Sequence, residues 1–249
     1  MNIVIIGQGN VATNLHHAIG LKGLRSAMLS SREGLDALPA ADVYIYAVRD
    51  EALASVVEAV VSGAQQSSRT LVLNALHLHT SGSVPISVFP PALPHAGVLY
   101  FFQTFSKTRR IDDFSAIPAF VEGRQIDNIS AIFALAQMLT SKVYEASQHD
   151  RERLHVAGVF ASNFTNHMYS VAAQMLAGTS IPFRALLPLI DCTADKVHYL
   201  TPCEAQTGPA RRGDEHVMEH HLSLLENADQ RELYRLVSRM IQQEARDGK

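Results

Sequence analysis

The sequence predicts an α/β protein: a doubly wound, mostly parallel sheet in the first part of the chain, then a smaller all-helical domain. Three observations carry this expectation. An apolar, β-branched run at residues 3–6 passes directly into a glycine-rich turn and then a helical rhythm. Short buried-strand runs alternate with helical stretches up to about residue 146. From about Gln148 the strand signals stop, and apolar residues recur at helical spacing.

The opening run leads to Gly7, Gly9 and Ala12 in the pattern G-x-G-x-x-A, with Asn10 and Val11 between, and a helix over residues 11–20. In that strand–turn–helix context Gly7 permits a tight turn and Gly9 lets backbone approach a pyrophosphate. Ala12 lets the helix pack closely on the strand. The helix start offers unpaired N–H groups and partial positive charge to phosphates. A dinucleotide site follows, with a bare structural turn as the bland alternative.

Further along, residues 25–30 and 43–48 (VYIYAV) read as strands, and residues 51–61 as a helix. Residues 70–75 (TLVLNA) and 119–122 read as two more strands, and 128–139 as a helix. The stretch 85–118 is proline-spotted and reads as irregular, and residues 142–146 close the nucleotide domain with a last strand. The domains are therefore placed at 1–147 and 148–249. In the second, a long helix covers 149–177, and Pro182 opens another that runs to about Tyr199. The loop TPCEAQTGPARRGD then precedes helices near 214–226 and 229–245. This arrangement predicts a substrate cleft between the domains.

Composition narrows the partners. Apolar content of 47%, charged content of 18% and a net charge of -3 suit a soluble globular protein with no footprint for nucleic acid. No basic run suggests an anionic membrane surface, and no apolar run reaches the ~20 residues of a membrane span. Cys192 and Cys203 are the only cysteines and form no CxxC pair, which fits a reducing cytoplasm. The first strand is too short, and lacks the basic flank, to read as a signal peptide.

The second strand ends in Ser30-Ser31-Arg32, where an NAD-selective site usually carries an acidic residue. Hydroxyls and an arginine there suit the 2′-phosphate of NADP(H). A register shift of one residue would bring Glu33 into place and restore the NAD reading. Val48, with Arg49 and Asp50, lies at a strand's carboxyl end, where it would flank the nicotinamide; the bland reading is a strand end with Asp50 capping a helix. His77 and His79 share one face of a strand, but no third ligand accompanies them, and no metal site is expected there. His216 and His220, at i,i+4, likewise lack one. His79-Thr80-Ser81-Gly82-Ser83 is no G-x-S-x-G elbow. It reads as a hydroxyl-rich loop beside the nicotinamide, with His79 near the cofactor and Ser81 positioning the reacting group.

On the long helix His155, Asn163 and Asn166 interrupt an apolar background. Hydride reduction of a carbonyl or imine needs a proton donor and an amide to orient the substrate. Histidine titrates near neutrality and can donate, and Asn163 lies roughly two turns from His155. The alternative is a backbone-satisfied histidine with asparagines at a helix contact. Arg212 or Arg211 could clamp an anionic substrate group or lock its loop, and Asp214 suits an N-cap.

The chain resembles a family of Rossmann-type oxidoreductases carrying a C-terminal helical domain of unknown function. That family is related to ketopantoate and pyrroline-5-carboxylate reductases and to the phosphogluconate dehydrogenase C-terminal-like superfamily. The marks are GQGNVA at 7–12, HTSGS at 79–83, QTFSK at 103–107, RERLHVAGVFASNF at 151–164 and TGPARRGD at 207–214. The resemblance implies NADP(H) and a homodimer formed through the helical domain, and the expected activity is an oxidoreductase acting on a small carbonyl, imine or hydroxy compound. It raises His155 to candidate proton donor, where related dehydrogenases use a lysine. It leaves Asn163 to orient substrate and Asn166, Arg212 and Thr104 to line its pocket. A non-catalytic NADP-binding redox sensor and a deazaflavin-linked NADP reductase are the alternatives.

Overall fold

A computed structural model describes residues 1–247, which divide into two compact units, the first spanning Met1–Ser162 and the second starting at Asn163. The first unit runs β1 (Asn2–Ile6), α1 (Asn10–Leu21), β2 (Arg25–Leu29), β3 (Val43–Tyr46) and α2 (Asp50–Gln66). It continues through the single turn α3 (Thr70–Leu73), β4 (Leu76–His79), β5 (Ala96–Phe101), β6 (Ala119–Gly123), α4 (Ile126–Gln137), β7 (Val143–Glu145) and α5 (Gln148–Gly158). The strands form one seven-stranded sheet in the order β2-β1-β3-β4-β5-β6-β7. Every neighbouring pair is parallel except β5 with β6. The expected doubly wound, mostly parallel sheet is present.

Both faces of the sheet are covered, which explains the unbroken apolar runs. Ile3, Ile5, Val43 and Ile45 point to one layer with Leu15 and Ile19 of α1 and Ile132 and Leu135 of α4. Val4, Ile6, Tyr44 and Tyr46 point to the other with Leu53, Val57 and Val60 of α2. Each such aliphatic side chain contributes roughly 1.5–3 kcal/mol on full burial.

Two strand expectations are corrected. Residues 70–73 form a helical turn, and the strand starts at Leu76, where Val43, Tyr44, Ile45 and Tyr46 pair with Leu76, His77, Leu78 and His79. The apolar run TLVLNALHLH is long enough to hold either choice, and pairing with β3 selects its second half. The stretch 85–118 also contains β5, a central strand. Of its prolines, Pro85, Pro90, Pro91 and Pro94 precede the strand and Pro118 follows it, which leaves AGVLYF uninterrupted. Gly97 within β5 is needed because a Cβ there would lie 2.2 Å from Ile132 Cδ1 and 2.5 Å from the Glu122 carbonyl oxygen. A close helix–sheet approach, and not flexibility, puts glycine in this strand.

The second unit is helical: α6 (Thr165–Leu176), α7 (Leu187–Lys196), the short α8 (Pro202–Ala205) and α9 (Pro209–Arg212), then α10 (Glu215–Leu224) and α11 (Ala228–Asp247). A reciprocal capping box between Thr201 and Glu204 starts α8. Asn227 Oδ1 accepts from the amides of Asp229 and Gln230 at the start of α11. Among the described residues from Asn163 on, the only buried hydrophobic residues are Ala210 and Ala245. Leu189, Tyr199, Leu224 and Met240 are all exposed. Among the described residues, no helix is long and apolar enough to cross a membrane.

Candidate functional site

The turn after β1 is built as its glycines suggest. Gly7 has φ of 130°, and its amide donates to the Leu29 carbonyl at 2.9 Å. A Cβ there would lie 2.3 Å from the Ala47 carbonyl oxygen, a backbone atom that has little room to give way. Gly9 stands at the N-cap of α1 without any side-chain cap, and the first turn carries no acidic residue. The leading N–H groups of the helix therefore remain available to an anion.

A cavity of about 960 Å³ opens at the carboxyl ends of β1, β2 and β3. Gly7, Gly9, Asn10, Val11, Ser30, Ser31, Arg32 and Val48, all expected from the sequence, line it together. Three cations, Arg32, Arg49 and Lys107, face a single carboxylate there, Glu33. Uncapped amides, a turn with no room for a side chain and a cationic excess fit a polyanionic dinucleotide. A smaller depression of about 520 Å³ lies at the opposite edge, near Asn2, Asp42, Leu76 and His95. Open α/β sheets bind ligands beyond strand carboxyl ends, so the larger cavity is the candidate. Asp50 is the first residue of α2 and Arg49 its N-cap, with no side-chain cap bond, so the expected Asp50 cap is not formed.

Ala12 and His79 do not line the cavity. Ala12 is buried in the core between α1 and the sheet. His79 stacks on Phe89, with ring centroids 5.7 Å apart, and its Nδ1 accepts the Ser81 amide at 3.2 Å. The ring proton therefore sits on Nε2, a buried atom with no hydrogen-bond partner. Burial, reinforced by the nearby Arg151 charge, lowers the His79 pKa to about 3. His77 is equally settled: Nε2 donates to the Val72 carbonyl at 2.8 Å and Nδ1 accepts from Tyr46 Oη at 2.9 Å. Burial pushes its pKa down to about 4, so both rings are neutral near pH 7 and neither can donate as imidazolium. Among the described residues no group of three His, Cys, Asp or Glu could hold a metal ion.

The loop after β4 is fixed from beneath. Ser81 Oγ accepts from the amides of Ser83 and Val84 at 3.0 and 3.1 Å. Arg151, on α5, is fully buried; its Nη1 donates to the carbonyls of Ser81, Gly82 and Val84 at 3.1, 3.4 and 3.3 Å. Its Nε and Nη2 both reach Glu122 Oε2, at 3.2 and 2.6 Å. Thr80 lines the cavity at the end of β4.

One turn along α5, His155 Nδ1 lies 3.3 Å from Tyr100 Oη. Burial first, then the Asp50 charge, raises the Tyr100 pKa and keeps its phenol protonated. Gly82 makes this approach possible: a Cβ there would lie 2.9 Å from Tyr100 Cζ and 3.1 Å from His155 Nδ1. Thr104 stands apart, with its amide and hydroxyl both donating to Gln103 Oε1, at 2.8 and 3.3 Å. Asn163, Asn166 and Arg212 belong to the second unit. The two asparagines are exposed. The Arg212 guanidinium is engaged by Asp214, Nε at 2.8 and Nη2 at 2.7 Å, and Asp214 makes no side-chain cap bond at the start of α10. Residues 159–164 are π-helical, so α-helical turn counting from His155 does not carry to Asn163.

Sequence reasoning assigned no role to Lys107, Tyr100, Glu122 or Arg151. Arg151 left one local signal. A cation in the first turns of a helix opposes the helix dipole and needs a counter-charge from elsewhere.

A family model described as a domain of unknown function (DUF2520) matches residues 117–241. A Bacteroides fragilis protein described as a candidate NADP oxidoreductase is similar at 40% identity and a TM-score of 0.88, covering 97% of this chain and 98% of that one. A Thermotoga maritima protein shares 16% identity with a TM-score of 0.71, covering 99% of each chain. An imine reductase from Myxococcus stipitatus, solved with NADP+, shares the fold at 13% identity and a TM-score of 0.60, covering 99% of this chain and 93% of that one. No curated protein matches the chain.

Proposed function

Because the chain belongs to the DUF2520 family of Rossmann-type domains joined to a helical C-terminal domain, we propose that it is an NADP(H)-dependent oxidoreductase. Its substrate is a small carbonyl, imine or hydroxy compound. The observation that carries this reading is the single cavity in which the Gly7–Val11 turn meets Ser30, Ser31 and Arg32. The turn and the start of α1 hold the diphosphate, and Ser30, Ser31 and Arg32 hold the 2′-phosphate. When bound, NADPH supplies the hydride.

The protein's own residues then manage the proton. His155 and Tyr100, paired at 3.3 Å, deliver it to the reduced carbonyl oxygen or imine nitrogen. Thr80 lines the cavity with its hydroxyl donating to the Tyr46 carbonyl at 3.4 Å, and Ser81 holds the loop that carries it. Nicotinamide fluorescence on titration with NADPH and NADH tests the reading. Arg32→Ala is expected to weaken NADPH roughly 10- to 150-fold and leave NADH nearly unchanged, since a charge-assisted bond is worth roughly 1.5–3 kcal/mol. Equal loss for both would remove Arg32 from the 2′-phosphate site. A wild-type protein that binds neither would overturn the oxidoreductase assignment.

The helical unit supports a homodimer. Among its described residues the unit buries two hydrophobic residues, both alanines, while α11 presents Leu236, Val237 and Met240 as an exposed stripe. A second copy that covers this stripe supplies the missing burial. Sedimentation velocity should give a dimer that Val237→Asp dissociates or unfolds. A stable wild-type monomer at micromolar concentration would refute it.

A further inference from the structure

We infer that Lys107, on the loop after β5, is a diphosphate-binding residue held in place by two asparagines of α1. The inference rests on the proposed dinucleotide site and names a member of it that lies far away in sequence. Lys107 lines the cavity with Gly7, Gly9 and Asn10, and it is exposed. It forms no ion pair among the described residues. A lysine that forms no ion pair, in a cavity whose lining includes an anion-binding turn and only one carboxylate, Glu33, is poised for an anion.

The backbone that carries Lys107 is fastened to the helix that follows the turn. Asn10 Oδ1 accepts the Lys107 amide at 3.2 Å. Asn14, fully buried, donates through Nδ2 to the carbonyls of Asn10 and Ser106, each at 2.9 Å, and accepts the Ile111 amide at 2.9 Å. Asn10 and Asn14 are one helical turn apart, so a single helix face splints the loop over residues 106–111. The lysine's main chain is thereby held beside the first turn of α1, whose uncapped N–H groups face the same diphosphate. Arg32, at the end of β2, belongs to the other end of the adenosine moiety. Lys107 therefore serves the part of the ligand that NADPH and NADH share. This also gives Asn10 a use beyond its backbone, as the residue that positions Lys107.

Equilibrium titrations of the full-length protein with ADP-ribose, NADH, NADPH and 2′-AMP test the assignment. In Lys107→Met the dissociation constants for ADP-ribose, NADH and NADPH should all rise about tenfold, with 2′-AMP unchanged. Lys107→Arg should restore most of the loss, because the charge is retained. An unchanged ADP-ribose affinity overturns the assignment. A loss confined to NADPH and 2′-AMP also overturns it, by moving Lys107 to the 2′-phosphate. Either outcome leaves the dinucleotide site standing. A wild-type protein that binds none of the dinucleotides overturns the functional reading and this inference together.

Discussion

Glu122→Gln is expected to cost about 3–5 kcal/mol of folding stability, among the largest effects for one isosteric change in this chain. The side chain keeps its shape and loses only its charge. Arg151, however, is fully buried and cannot recover water, so its guanidinium is left without a counter-ion. The reverse deletion costs less in electrostatics, since the Glu122 side chain keeps 22% of its surface exposed and can rehydrate. The loss should lower the unfolding temperature by roughly 6–20 °C for a chain of this size. Hydrogen exchange should also quicken across residues 81–84, where Arg151 holds the carbonyls of Ser81, Gly82 and Val84. Urea denaturation of the variant and the wild type measures the difference. A change below about 1 kcal/mol would mean that the pair is not a structural anchor.

His155→Ala is expected to lower turnover by at least about a hundredfold on a carbonyl or imine found by substrate screening, the lower bound for general acid catalysis. NADPH affinity should stay near wild type, because His155 does not line the dinucleotide cavity. The two readouts together separate a proton donor from a residue that merely supports the fold. Tyr100→Phe, which keeps the ring and removes the hydroxyl, should give a smaller loss with the same separation. A near-normal rate in His155→Ala would take His155 out of the chemistry. Weakened NADPH binding in step with the rate would recast it as a cofactor residue.

The nucleotide turn was legible because it is local. Gly7, Gly9 and the start of α1 form one continuous strand–turn–helix, and each residue type answers a constraint of its immediate neighbours. Ser30-Ser31-Arg32 was found by its distance from the glycines and lines the same cavity. His79 was misplaced for a physical reason. At the end of β4 its exposure is set by Phe89, which lies on a separate segment, so alternation along the strand could not reveal a buried, stacked ring. The strand at residues 76–79 is not distinguished by the sequence, because both halves of TLVLNALHLH carry leucines at strand-compatible positions. Pairing with β3 selects the second half. The strand at residues 96–101 was hidden by prolines that only border it.

Local residue chemistry thus determined the elements from β1 to α2, the phosphate turn and the helical character of the second unit, because each depends on neighbours within a few positions. The tertiary structure decided which polar groups meet. Arg151 reaches a carbonyl 70 residues away, Asn10 holds an amide 97 residues away, and Tyr100 meets a histidine 55 residues away. Such pairs follow from how helices pack on the sheet, and no periodicity along the chain records a contact made across it.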